Sequence, residues 1–149
     1  MILTVTPNPS IDATIELTSL ERGEVNRAVA ARRQAGGKGI NVANAAMLAG
    51  YDACAVAPAA PSDLFAALLE TSPLQCAFVP IDATVRTNTT LTEADGTTTK
   101  INEHGPVLSA EEQHALREEL TKRGAPSRFL RARRRRRARV HDRGARGRR

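Results

Sequence analysis

The apolar positions of this chain fall into short runs separated by Gly, Pro and polar turns. Met1 to Thr6 is a β-branched run stopped by Pro7 and Pro9. It has little polar alternation, so it predicts a central strand covered on both faces. Ala53 to Ala57 has the same character and predicts a second buried strand. Between them, Ile40, Ala43 and Met47 recur at helical spacing, with small alanines beside them and Gly50 as a stop, which predicts a helix over 40–49. Strand–helix–strand order of this kind implies parallel pairing and an α/β domain. Thr14–Leu17 and Val25–Ala30 alternate weakly around a turn at Glu21–Glu24 and predict strands of a small second sheet. The Thr-rich arms from Thr84 to Asn102 flank Asp95-Gly96 and predict a hairpin with a two-residue type I′ turn. That register pairs Asn88 with Glu103 and puts Lys100 on the opposite face from Arg86; a one-residue bulge reverses the parity. Asp63 is placed to cap a helix at Leu64–Glu70, and Ser109 with Glu112 forms a capping box for a helix running to about Lys122.

Composition changes this picture at the C-terminus. Residues 1–123 hold 10 Lys+Arg against 15 Asp+Glu, a net of −5, whereas residues 124–149 hold 12 Arg and one Asp, a net of +11. The overall +6 therefore belongs to the last segment alone. We read 1–123 as an incomplete domain and 124–149 as a disordered Arg-rich tail. One account of the tail is an arm that binds nucleic acid non-specifically through phosphate neutralisation. The other is an out-of-frame translation of a GC-rich coding region, and it is the one adopted here. Lys is absent from the tail, no aromatic alternates with its arginines for base stacking, and the break interrupts an unfinished fold. Cys54 and Cys76 lack metal-ligand spacing and read as buried or free thiols. No stretch of about 18 apolar residues occurs, so a cytoplasmic protein is expected. His104 and His114 belong to no ligand or nucleophile constellation.

Candidate chemistry centres on Gly36-Gly37-Lys38-Gly39-Ile40-Asn41. Glycines without Cβ let a ligand approach the backbone, and the following helix offers unpaired N–H groups and the positive end of its dipole. The spacing matches neither the dinucleotide-binding Gly-x-Gly-x-x-Gly nor the phosphate-loop Gly-x-x-x-x-Gly-Lys-Ser/Thr pattern. An anionic or hydroxyl-rich ligand fits this turn. Asp12 lies just past the carboxyl end of the first strand, the edge where open α/β sheets bind ligands.

Four motifs stand in order along the chain: Thr6-Pro7-Asn8-Pro9-Ser10-Ile11-Asp12, the Gly-rich turn, Arg86-Thr87-Asn88, and Lys100-Ile101-Asn102-Glu103-His104-Gly105-Pro106. Together they resemble the amino-terminal half of the ribokinase-like (PfkB) carbohydrate kinases, and most of all their 1-phosphofructokinase and tagatose-6-phosphate kinase branch. The resemblance covers about residues 1–122. It implies a three-layer α/β/α domain with a small β-sheet lid whose strands lie near 11–35 and 84–104. It implies ATP-dependent phosphorylation of a sugar phosphate, fructose 1-phosphate to fructose 1,6-bisphosphate, with tagatose 6-phosphate as the alternative substrate. ATP and Mg2+ are the implied cofactors, with their sites largely in the part of the family fold absent here, and a homodimer through the lid is the implied assembly. By the same resemblance Asp12, Gly36, Gly37, Asn41, Asn88 and Glu103 bind the substrate, with Arg86 and Lys100 on its phosphate, so a bulge or a twist is expected in the 84–102 hairpin. Arg27 is a further cation on a lid segment and is left without a role.

The chain departs from the family pattern in two places. Pro58 to Asp63 lacks the Gly-rich turn with Asp-Gly that relatives carry. The Gly-Ala-Gly-Asp motif that performs phosphoryl transfer in the family is missing, so no catalytic residue is assigned. A non-catalytic fragment is the expectation for the chain as it stands.

Overall fold

The computed structural model describes residues 1–124 and, for their backbone, 128–130. The chain runs β1 (Ile2–Val5), β2 (Ser10–Leu17), β3 (Ala30–Gly36), α1 (Lys38–Leu48), β4 (Ala53–Pro58), α2 (Leu64–Glu70), β5 (Gln75–Val79), β6 (Arg86–Glu93), β7 (Thr98–Asn102), α3 (Ala110–Gly124) and β8 (Arg128–Leu130). Two four-stranded sheets result. The first has the order β5-β4-β1-β8 and is parallel throughout, and the second has the order β3-β2-β6-β7.

The parallel sheet is the middle of three layers, and β4 shows why. Ala53, Ala55 and Ala57 point to one side, into a cluster with Ile40 and Ala43 of α1 and Phe65 and Leu69 of α2. Cys54 and Val56 point to the other, against Leu3, Val79 and Leu116 of α3. A strand buried on both faces needs apolar residues at both parities. The small alanines admit α1 closely, and Phe65 fills the remaining space edge-on to Phe78, with ring centroids 6.3 Å apart. The architecture is the expected α/β/α arrangement with a second sheet beside it, which has as many strands as the first rather than being the small lid expected.

The caps behave as the sequence implies. Ser109 Oγ accepts from the Glu112 amide at 3.1 Å while Glu112 Oε2 accepts from the Ser109 amide at 2.7 Å. Asp63, buried, accepts from Phe65 N at 2.8 Å and, with its other oxygen, from Val85 N at 2.7 Å. This carboxylate therefore caps α2 and pins the approach to β6. At the end of α1, Gly50 takes φ 82° while Tyr51 N donates to Ala46 O and Gly50 N to Met47 O, a Schellman termination.

Four details differ from the sequence reading. The partner of β2 is Ala30–Gly36, not Val25–Ala30. Val25 and Asn26 lie in the connecting loop, where the Asn26 side chain accepts from Glu21 N at 2.8 Å and donates to the carbonyls of Glu21 and Glu24. The β6–β7 turn has three residues rather than two. Gly96, at φ 88°, donates to Glu93 O and closes a turn with a bulge, while Glu93 N donates to Thr97 O. Asn88 consequently faces Asn102, and Thr90 faces Lys100. The bulge itself is the one expected from the resemblance, and it brings Lys100 to the face of Arg86 and Asn88. Strand β5, over Gln75–Val79, is an element the sequence reading does not contain. Finally, α3 extends to Gly124 and the backbone of Arg128–Leu130 pairs in parallel with β1. The sheet thus continues past residue 123, and the rest of the Arg-rich segment lies outside the described residues.

Among the described residues no helix is long and apolar enough to cross a membrane. Cys54 and Cys76 are free thiols, the first buried and the second half-buried. Burial pushes both thiols up, Cys76 to about 12.

Candidate functional site

A cavity of about 480 Å³ opens between the carboxyl end of β1, the start of α1 and one face of the second sheet. Its floor is the β1–α1 junction. Thr4 Oγ1 donates to Gly39 O at 2.9 Å and Ile40 N donates to Thr6 Oγ1 at 3.0 Å, so two threonines of one strand parity hold the helix start against the strand. Gly37, at φ 120°, is the N-cap, and a Cβ there would lie 2.4 Å from Thr6 Cγ2. A Cβ on Gly39 would lie 2.5 Å from Val5 O. Both glycines are demanded by close approach, and Gly37 by its conformation as well. Asn41 N donates to Gly37 O, which leaves the first-turn amides of Lys38 and Gly39 without acceptors among the described residues. Both residues line the cavity, so the positive end of the helix faces open space.

The wall opposite is built by register. Ser10 pairs with Arg86 and Asp12 with Asn88, and alternation puts all four side chains on one face. Asp12 Oδ1 accepts from Ser10 Oγ at 2.8 Å and from Asn88 Nδ2 at 3.2 Å. Gly36 makes room for this carboxylate, since a Cβ there would lie 2.2 Å from Asp12 Oδ2. Arg86 donates from Nε to Pro9 O at 3.3 Å and from Nη1 to Glu103 O at 3.1 Å. The cavity therefore carries one carboxylate, Asp12, against two cations, Lys38 and Arg86. Its balance favours an anion. Two buried carbonyl oxygens of its lining, Asn8 Oδ1 and Asn88 Oδ1, have no donor among the described residues. A ligand bearing hydroxyl groups supplies donors of the matching kind.

Of the eight residues singled out in the sequence, Asp12, Gly37, Asn41, Arg86 and Asn88 line this cavity. Gly36 stands directly behind Asp12. Lys100 and Glu103 do not line it. Lys100 is exposed on the same face, but its partner Thr90 is four residues beyond Arg86, about 13 Å along the strand. Arg86 is meanwhile held at the opposite end by Pro9 O, so the two cations do not converge on one phosphate here. Glu103 spends Oε2 on the Thr87 amide at 2.7 Å. Arg27 is exposed and away from the cavity. Sequence reasoning passed over Thr6, Asn8, Ser10 and Lys38, all lining residues. The signal was present: three of them sit inside the Thr6–Asp12 motif and the fourth inside the Gly-rich turn.

No group of three or more His, Cys, Asp or Glu side chains that could hold a metal ion occurs among the described residues. Asp12 is the one carboxylate that lines the cavity, and its Oδ1 already accepts from Ser10 and Asn88.

The chain is similar to several known sugar kinases. The chain is 42% identical over 115 residues to a 1-phosphofructokinase of Haloferax volcanii, a match covering 74% of this chain and 37% of the relative. It is 32% identical over 124 residues to a tagatose-6-phosphate kinase of Staphylococcus epidermidis, covering 82% and 40%. Phosphofructokinase-2 from Escherichia coli, solved with fructose-6-phosphate, superposes with a TM-score of 0.75 at 27% identity, covering 81% of this chain and 41% of that one. A ribokinase from Thermotoga maritima shares the fold at TM-score 0.59 and 20% identity. The chain spans about two fifths of the length of the relatives it matches. The profile of the pfkB family carbohydrate kinases matches residues 5–130, from β1 through β8, and the chain belongs to that family.

Proposed function

We propose that this chain is the sugar-phosphate-binding part of an ATP-dependent kinase that converts fructose 1-phosphate to fructose 1,6-bisphosphate. The observation that carries the reading is the meeting, in one cavity, of an oriented carboxylate, an oriented guanidinium and an open helix N-terminus. Asp12, held by Ser10 and Asn88, accepts sugar hydroxyls. Asn41 and the backbone at Gly37 line the sugar's other side, and Gly36 backs the Asp12 carboxylate. Arg86 takes the phosphate through donors not spent on Pro9 and Glu103, and the amides of Lys38 and Gly39 add positive potential. Tagatose 6-phosphate presents similar groups, and the likeness to a tagatose-6-phosphate kinase supports it as the second substrate.

ATP with magnesium supplies the transferred phosphoryl group in this family. The residues described here bind and orient the acceptor and exclude water from one side of it. Positioning and charge neutralisation carry most of such a reaction. No residue described here is assigned as the base, since the sequence has no Gly-Ala-Gly-Asp. We therefore read the chain as competent to bind and not to turn over. A cytoplasmic setting suits its two free thiols, and pairing of two copies through the second sheet is part of the same proposal.

The test is calorimetric titration of the 149-residue protein with fructose 1-phosphate, fructose and inorganic phosphate. Fructose 1-phosphate should bind most tightly, and Arg86→Ala should weaken it by about 1–3 kcal/mol, the scale of a charge-assisted hydrogen bond. An affinity untouched by Arg86→Ala would remove that residue from the site. Equal affinity for fructose would remove the phosphate from the reading.

A further inference from the structure

An arginine on a strand facing open space has many rotamers, and each one it must abandon on binding an anion weakens the complex. Arg86 is not in that condition. Its Nε and Nη1 donate to carbonyls from two separate segments, Pro9 in the β1–β2 loop and Glu103 just past β7. What holds the second carbonyl in place is the Glu103 side chain. Beyond the last β6–β7 pair, Asn88 with Asn102, Glu103 Oε2 accepts from Thr87 N at 2.7 Å while Glu103 N approaches Thr87 O at 3.4 Å. The carboxylate stands in for a missing ladder carbonyl and fixes the chain where Arg86 needs it.

Asn8 and Gly105 complete the clamp. Asn8 Nδ2 donates to His104 O at 3.0 Å, tying the β1–β2 loop to the same exit. Gly105 turns the chain at φ 81°, and a Cβ there would lie 2.4 Å from Asn8 Oδ1 and 3.0 Å from Arg86 Cδ. Only a glycine lets the loop, the amide and the arginine stem meet.

We infer that Glu103, Asn8 and Gly105 are positioning residues for Arg86, and that Glu103 does not contact the ligand. The charge argues the same way. A free carboxylate beside Arg86 would repel a phosphate, whereas one that accepts a backbone N–H is both spent and held away from it. The consequence for affinity rests on the sugar-phosphate reading above; the geometry of the clamp does not.

The test uses the intact, uniformly 15N-labelled chain. The Nη1–H resonance of Arg86, the group that donates to Glu103 O, is identified by its loss in Arg86→Lys, and fructose 1-phosphate affinity is measured on the same samples. Glu103→Gln keeps an acceptor oxygen, so the resonance should stay in place and the affinity within about twofold. Glu103→Ala and Gly105→Ala should move the resonance to the position of a free arginine and weaken binding about tenfold or more. In the Arg86→Ala background, Glu103→Ala should add nothing further. The inference is overturned if Glu103→Ala leaves the resonance unmoved. It is also overturned if Glu103→Gln weakens binding as much as Glu103→Ala, because the carboxylate charge would then be meeting the ligand. Should Gly105→Ala lower the melting midpoint, the Glu103 pair decides alone. If the unaltered chain binds no fructose 1-phosphate, the functional reading falls, and the resonance still decides whether the clamp exists.

Discussion

Replacing Gly36 by alanine tests the site through one added methyl group. Gly36 is the last residue of β3 and is paired with Ser10, so its backbone is held by the sheet. Its φ is not positive, so alanine is tolerated conformationally and the fold should survive. The added Cβ would nevertheless lie 2.2 Å from Asp12 Oδ2 and 2.4 Å from Asp12 Cγ, where ordinary contacts begin at 3.4 Å. An overlap of that size cannot be absorbed by a paired strand, so the carboxylate must rotate away. It then loses the hydrogen bonds from Ser10 at 2.8 Å and Asn88 at 3.2 Å. Hydrogen bonds to a charged group contribute about 1.5–3 kcal/mol each when buried. Asp12 is only half-buried, so the lower end applies and part of the loss is recovered in water. We expect fructose 1-phosphate to bind about 2 kcal/mol more weakly, roughly thirtyfold, with a melting shift of a few degrees at most. Calorimetry on Gly36→Ala, Asp12→Ala and the double variant is the assay. The double variant should bind no worse than Asp12→Ala, because removing the carboxylate removes the clash. Affinity in Gly36→Ala within twofold of the parent would refute the reasoning, since it would mean the oriented Asp12 carboxylate does not meet the ligand.

Three further outcomes are expected. Asp63→Ala removes the acceptor for both Phe65 N and Val85 N in a buried place, and chemical denaturation should show a loss of about 2–4 kcal/mol, with Asp63→Asn intermediate. The bond from the Ser109 amide, with lesser help from Asp82 N, holds the Glu112 carboxyl below its usual range. A depressed value means the cap helps at neutral pH and is lost as pH falls through it; helicity of α3, followed by amide exchange, should therefore drop below about pH 4, and Glu112→Gln should flatten that dependence. Incubated with ATP, magnesium and fructose 1-phosphate, the 149-residue chain should form no fructose 1,6-bisphosphate above background; turnover would place the catalytic carboxylate among the residues assigned here to binding, with Asp12 the first candidate.

Local chemistry was legible from residue order. Gly50 ends α1, Asp63 and Ser109 cap their helices, and the alanine-rich Ala53–Ala57 run is buried on both faces, all because each signal acts within a few residues of itself. The Gly-rich turn declared a close approach before any neighbour was known, since three glycines in four positions have few other uses. What the sequence left open depends on which strands meet. The three-residue Glu93–Thr97 connection, chosen by Gly96 and by Thr97 N donating to Asp95 Oδ1, set the parity of Lys100. The capture of Asn26 by the Glu21–Glu24 loop moved β3 five residues along the chain. Strand β8 exists as a backbone partner of β1 within a stretch whose composition alone argues against a strand. The roles of Glu103 and Arg86 diverged for the same reason. A carboxylate and a guanidinium seventeen residues apart in the chain look alike as ligands in a motif, and only the pairing of β6 with β7 spends one on a backbone amide and aims the other at the cavity. Periodicity and turn chemistry are properties of neighbours in sequence, whereas register is a competition between whole strands, decided by bonds that form only when distant segments meet.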